Sequence, residues 1–184
     1  QKAAADKIPM ITPSGTAMEI TQKGDNIFRT CFTDPYQGQL MAKYAYEVLG
    51  AKTATILYDN SDDYSTGLRN AFKEKAAELG LEILSDESYT KGDVDFKAQL
   101  TNIASKDADV FFLPVYYQDI ALISVQAKNA GVEATMLGGD GWDGILGVLD
   151  PSNYSAVEGI YFNNHYSTES TDEKLQAFLA SYKS

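Results

Sequence analysis

Apolar and polar positions divide the chain into short runs of two kinds. From Thr53 to Tyr58 a β-branched and apolar run carries no charge, which predicts a strand covered on both faces. Leu68, Ala71, Phe72, Ala76 and Leu79 then recur at helical spacing, with Arg69, Lys73, Glu74, Lys75 and Glu78 mainly between them, which predicts an amphipathic helix. A polar turn, Asp59 to Gly67, joins the two. The same grammar repeats downstream. Strand Leu81 to Leu84 precedes helix Asp95 to Ser105, with Phe96, Leu100 and Ile103 inward; strand Val110 to Leu113 precedes helix Gln118 to Asn129. Strand Ala134 to Leu137 leads into a glycine-rich segment, and strand Gly159 to Asn163 precedes a helix from Asp172 to Tyr182 capped at Thr171.

Upstream, Gln1 to Lys7 has the composition of a helix end. Ile8 to Ile11 reads as a short strand running into the turn Thr12 to Thr16, and Asn26 to Phe32 as another. Asp34 with Pro35 reads as an N-cap followed by proline at the first helical position, opening a helix whose apolar stripe is Leu40, Met41, Tyr44, Ala45 and Val48 and which Gly50 stops. Strands alternating with helices of these lengths predict right-handed parallel crossovers, and so an α/β fold: a doubly wound parallel sheet in flavodoxin-like order, flanked by helices. Thr53 to Leu137 are expected to supply four parallel strands of one sheet, with Tyr64, Tyr116 and Asp140 along a common edge.

Composition narrows the function. The chain has 184 residues, 44% of them hydrophobic, enough for one domain or for one domain and part of another. Fifteen basic against 26 acidic residues give a formal charge of −11 with no basic cluster, which argues against a nucleic-acid or anionic-membrane surface. Cys31 is the single cysteine, so no intramolecular disulfide or cysteine metal site is available, and it is expected in the core. No apolar run is long enough to span a bilayer, and the opening residues Gln-Lys-Ala-Ala-Ala-Asp-Lys are neither a signal peptide nor an initiator methionine, so the start reads as cut from a longer chain.

In a doubly wound sheet ligands bind beyond the carboxyl ends of the strands. Three turns fall there: Asp59 to Tyr64, Pro114 to Tyr117, and Gly138 to Asp143. They carry hydroxyls, aromatic faces and carboxylates but no Lys or Arg, which suits a cationic or hydroxyl-bearing small molecule. Trp142 and the Tyr116-Tyr117 pair are expected as pocket walls. A calcium loop starting at Asp59 fails because Tyr64 occupies its sixth position and Asn70 its twelfth. A phosphate-accepting receiver would need an aspartate where Pro114-Val115-Tyr116 stand. Gly138 to Gly144 has the glycine content of a phosphate loop without its Lys-Ser pair. His165, the only histidine, has no partner at ligand or triad spacing and reads as a strand-end residue without a catalytic role.

The segments IPMITPSGTAMEIT, FRTCFTDPYQGQLMAKY, ATILYDNSDDYSTGL, KGDVDFKAQLTNI, ADVFFLPVYYQDIALISVQAKNAG and MLGGDGWD resemble, in order and over nearly the whole chain, the substrate-binding proteins of branched-chain amino-acid ABC transporters. That resemblance implies the type I periplasmic-binding fold, two α/β lobes joined by crossover strands with the amino acid clamped between. It implies that residues 1–33 are a remnant of the first lobe and first crossover, 34–164 the second lobe, and 165–184 a return crossover and helix. It also implies site roles. Ser14, Gly15 and Thr16 receive the ligand carboxylate through backbone amide and hydroxyl. Tyr64 closes over the ligand, Tyr116 is a second pocket tyrosine, Asp140 accepts the α-ammonium, and Asp34 lies near the amine. The closest branched-chain binders have Glu where this chain has the shorter Asp140. The implied function is a non-enzymatic, extracytoplasmic receptor, periplasmic or lipid-anchored, that needs no cofactor or metal and delivers an amino acid to permease subunits, with self-association of the fragment a further expectation. A sugar or amide sensor of the same fold is the alternative, and an enzyme on a flavodoxin-like sheet a more distant one.

Overall fold

The structure, a computed structural model, describes residues 2–167 and 169–183. Gln1 of the expected first helix, and Thr168 and Ser184 of the expected return segment, lie outside the described residues.

Five strands form one parallel sheet: β3 (Thr53–Asp59), β4 (Glu82–Tyr89), β5 (Val110–Phe112), β6 (Thr135–Gly138) and β7 (Tyr161–Phe162). Their spatial order is β4-β3-β5-β6-β7, with every neighbouring pair parallel. This is the flavodoxin-like order. Its switch point lies between β3 and β5, where the chain has crossed from one side of β3 to the other.

Side chains alternate across this sheet with period two, and each face carries its own helices. Ala54 and Ile56 of β3, with Val110 and Phe112 of β5, pack under α2 (Asp34–Lys43) and α3 (Asp63–Leu79), meeting Met41, Ala45, Leu68 and Phe72. Leu57 of β3 and Phe111 of β5 face the other way, against α4 (Lys97–Ala104) and α5 (Tyr117–Asn129), where Phe96, Leu100, Ile103, Ile120 and Ile123 wait. The central strands are covered on both faces, as their unbroken apolar runs require.

Helix α3 starts earlier than its apolar spacing suggests. The Asp62 carboxylate accepts a hydrogen bond from the Ser65 amide and caps it, so the polar turn after β3 is only Asn60 to Asp62 and Tyr64 stands in the first helical turn. Helix α2 departs from expectation at both ends. Its N-cap is Thr33, which places Asp34 inside the first turn and Pro35 one position further on. The buried face is Gln37, Gly38, Met41, Ala42 and Ala45, whereas Leu40 is exposed and Val48 is 65% exposed. A single π turn, Tyr44–Val48, continues α2 before Gly50 ends it in the left-handed region at φ 72°.

Upstream lie a short helix, α1 (Lys2–Ala5), and a separate two-stranded parallel sheet, β1 (Met10–Thr12) with β2 (Ile27–Arg29). The Ile8–Ile11 run thus finds its partner, β2, within the same chain. Cys31 is half-buried rather than in the core. Strand β7 is shorter than its sequence run, and α6 (Glu173–Lys183) has no buried residue among those described.

Helices α2 and α3 touch backbone to backbone at Gly38. A Cβ there would lie 2.4 Å from the Leu68 carbonyl oxygen and 2.9 Å from the Phe72 amide nitrogen, neither of which can rotate away. Gly38→Ala in the full-length protein is therefore expected to cost about 1 to 3 kcal/mol of stability, read as a lower urea midpoint at unchanged slope. A midpoint equal to that of the unaltered protein would show that the two helices are not in closed contact.

Candidate functional site

The carboxyl ends of β3, β5 and β6 open on one cleft of about 330 Å³, lined by Ser14, Thr16, Tyr64, Tyr116, Tyr117, Asp140, Gly141 and Asp143. Each side chain arrives for a local reason. Tyr64 is carried by the capped first turn of α3. Tyr116 is the N-cap of α5, in extended conformation at the end of the turn after β5. Asp140 begins a single 3₁₀ turn, Asp140–Trp142, immediately after β6. Ser14 and Thr16 come from the loop after β1, which Arg29 of β2 holds by donating to the carbonyls of Gly15, Thr16, Ala17 and Met18 and to the Thr21 hydroxyl.

Asp140 is fixed from three sides. The Tyr64 hydroxyl donates to its Oδ1 at 2.9 Å and accepts from the Gly141 amide at 3.0 Å. The Asp140 amide donates to Oε1 of the fully buried Gln37 at 3.0 Å, and that same oxygen accepts from the Asn163 side chain at 2.8 Å. The turn has to be glycine-lined to sit so close: a Cβ on Gly139 would lie 2.6 Å from both the Tyr64 hydroxyl and Leu68. Oδ2 of Asp140 has His165 Nδ1 at 3.8 Å. Tyr64 and Tyr116 stack with ring centroids 4.7 Å apart, making an aromatic wall beside the carboxylate.

The cleft is electronegative. No Lys or Arg lines it among the described residues. Burial, reinforced by Asp62, Asp34 and Asp140, pushes the Tyr116 hydroxyl up to about 12, and burial with Asp140 beside it raises Tyr64 well above its ordinary value. Asp34 is 2% exposed, and its Oδ1 has no hydrogen-bond partner among the described residues. Burial pushes its carboxyl up to about 6; a hydrogen bond from Thr16 and the charge of Arg29 pull it down, while Asp140 and Asp62 raise it further.

The expected residues are thus brought together in part. Ser14, Thr16, Tyr64, Tyr116 and Asp140 share the cleft. Gly15 is next to it, but its amide is already engaged by the Thr12 hydroxyl at 2.9 Å. Asp34 lies behind Thr16 and opens instead toward a neighbouring hollow lined by Met18, Glu19, Pro35, Asp63, Thr66, Gly67 and Asn70. Trp142 is not a pocket wall. It is fully buried in the core, its indole against the bare α-carbon of Gly138, where a Cβ would be 2.1 Å away, and its Nε1 donates to the Leu113 carbonyl at 3.0 Å. Gly139, Gly141 and Gly144 do have the spacing of a dinucleotide-binding turn, yet only short 3₁₀ turns follow β6, so no long helix offers its N-terminus to a phosphate.

Sequence reasoning missed Arg29 and Gln37. Gln37 was in principle visible, since it precedes Met41 and Ala45 at intervals of four and so continues the inward stripe of α2. Arg29 left no such signal.

The chain is similar to known proteins along its whole length. A family model described as periplasmic binding protein matches residues 1–184. A Leu/Ile/Val-binding protein of Rhizobium johnstonii is 34% identical, over 95% of this chain and 47% of its own length. The leucine-binding protein of Thermotoga maritima superposes with a TM-score of 0.89 at 38% identity, covering 99% of this chain and 51% of that one. The branched-chain amino-acid transporter substrate-binding protein of Streptococcus pneumoniae, solved with isoleucine, gives 0.82 at 32% identity, covering 98% and 51%. The chain spans about half the length of these relatives.

Asp34 makes stability depend on pH in a definite direction. Its folded pKa of about 6 lies above the ordinary 3.8, so the folded state binds the extra proton between those values and stability falls as pH rises through that window. A shift of this size corresponds to about 2 to 3 kcal/mol. The stability of Asp34→Asn relative to the unaltered protein is expected to grow as pH rises from 4 to 7, measured by urea unfolding at each pH. A difference that stays constant with pH would mean that Asp34 ionises as freely folded as unfolded.

Proposed function

The chain belongs to the periplasmic binding protein family, and from that premise we propose that it forms the ligand-closing part of an extracytoplasmic solute-binding protein that takes up a branched-chain type of amino acid for an ABC permease. The observation that carries the reading is Asp140. One of its oxygens is held by Tyr64, its amide by Gln37, and the second oxygen has His165 Nδ1 3.8 Å away. A carboxylate held this rigidly in a cleft without lysine or arginine suits an ammonium group.

The rest of the ligand follows from the lining. The Ser14 hydroxyl, on the loop that Arg29 clamps, serves the ligand carboxylate, with Thr16, whose hydroxyl donates to Asp34, beside it. The stacked Tyr64 and Tyr116 rings cover its apolar side chain, a dispersion and desolvation contribution that depends on area rather than on hydrogen bonds. Asp34 adds negative charge from behind Thr16, and a bound cation offsets part of its burial penalty. The work of the cleft is binding rather than catalysis. Its tyrosine hydroxyls are held in their neutral form by burial and by neighbouring carboxylates, which makes them poor nucleophiles near neutral pH.

In this reading residues 1–33 belong to a first lobe and its crossover, 34–164 to the second lobe, and 165–184 to the returning crossover. Ligand binding draws the lobes together about those crossovers, and the closed form is what the permease recognises. The chain's coverage of half of each relative, with both relatives' structures named for leucine or branched-chain amino acids, supports that division of labour.

Calorimetric titration of the full-length protein with leucine, isoleucine and valine tests the proposal. Asp140→Asn is expected to weaken binding by about 2 to 5 kcal/mol, which is about 30-fold or more, whereas Asp143→Asn, exposed at the rim, changes it little. Unaltered amino-acid affinity in a folded Asp140→Asn protein would overturn the assignment of the ammonium.

A further inference from the structure

We propose that His165 competes with the ligand ammonium for Asp140, so that taking up the amino acid is coupled to loss of a proton from the imidazole. The inference rests on the reading of Asp140 as the ammonium acceptor.

Geometry brings two cations to one carboxylate. Oδ1 of Asp140 accepts from the Tyr64 hydroxyl at 2.9 Å, Oδ2 has His165 Nδ1 3.8 Å away, and Asp140 lines the cleft. The imidazole is held there by its ring face, stacked on Phe32 with centroids 4.0 Å apart and planes 16° from parallel. Phe32 follows β2 of the two-stranded sheet and His165 follows β7 of the five-stranded one, so this stack joins the segments that leave the two sheets. Both side chains are partly withdrawn from solvent, at 31% exposure for His165 and 15% for Asp140, which limits screening of the pair.

Other charged or titratable groups around the pair set its direction. From the turn after β6 come Asp140 and Asp143; from α3, Tyr64, with Asp62 as its cap; from α5, Tyr116 and Tyr117; from α2, Asp34 and Tyr36. The nearest guanidinium, Arg29, is occupied by loop carbonyls. Carboxylates therefore outnumber cations, and a protonated imidazole is attracted to the same spot as an ammonium. Histidine changes charge between about pH 5 and 8. When it is charged, the incoming ammonium must displace it or coexist with it. When it is neutral, the imidazole no longer competes for the carboxylate. Phe32 and the crossover then carry the stack without the charge, so discrimination between one cation and the other is electrostatic and not a matter of shape.

The test is leucine affinity of the full-length protein from pH 5.5 to 8, by calorimetry in two buffers of different ionisation enthalpy, so that protons released on binding are counted. His165→Phe keeps a ring on Phe32 without the charge, and His165→Gln removes the ring as well. The ratio of variant to native affinity is expected to rise about fivefold from pH 8 to pH 5.5 in both, with fewer protons released on binding. Asp34 titrates in the same range, and Asp34→Asn is expected to leave most of the histidine-dependent change in place. A ratio that does not vary with pH, with proton release unchanged, would overturn the inference even if Asp140→Asn weakens binding. If Asp140→Asn does not weaken binding, it is the underlying ammonium reading that fails.

Discussion

The bond between the Tyr64 hydroxyl and the Asp140 carboxylate is the contact on which the site depends. It joins the first turn of α3 to the turn after β6, two elements that follow strands on opposite sides of the switch point, and it converts a glycine-rich turn into a fixed acceptor. Everything that makes the bond possible is set elsewhere. Asp62 caps α3 one turn early and so brings Tyr64 to the strand ends. Gly139 leaves room for the hydroxyl, and Gln37 secures the far side of the turn. A tyrosine whose pKa is pushed upward donates rather than accepts charge, so the carboxylate remains the negative partner.

Polar groups are buried around this contact at some cost. Among the described residues Asp34 Oδ1, Gln37 Nε2 and Asn163 Oδ1 have no hydrogen-bond partner, and all three belong to the shell behind the cleft. A buried polar atom without a partner costs about 1 to 3 kcal/mol, so this shell is less stable than an apolar one of the same shape. Proteins tolerate such a cost where a charged ligand needs a preorganised partner, and the apolar core on either face of the sheet supplies the surplus that allows it.

Much of the fold was legible in the residues. The period-two split of β3 into Ala54 and Ile56 on one face and Leu57 on the other, and the helical spacing from Leu68 to Ala76, are local patterns that tertiary structure only had to respect. Boundaries were less legible. Thr33 and Asp34 are both good caps, and only the packed helix decides between them. The inward stripe of α2 was misread because Leu40 and Val48 are apolar while Gln37 is not; burial followed the geometry of the α3 contact at Gly38, not hydrophobicity alone. Trp142 failed as a pocket wall because its fate hung on Gly138, whose missing side chain opens a slot that no pattern of Trp142 itself reveals. Arg29 belongs to a third class. Its role exists only once five acceptors of a distant loop converge on it, and nothing in its own neighbourhood announces that.

The most direct test is a crystal structure of the full-length protein with bound leucine. It is expected to place the ligand ammonium within about 3 Å of Asp140 Oδ2, with the carboxylate toward Ser14 and Thr16 and the side chain against the Tyr64 and Tyr116 rings. A ligand bound with its carboxylate toward Asp140, or one held away from the strand ends altogether, would contradict the account.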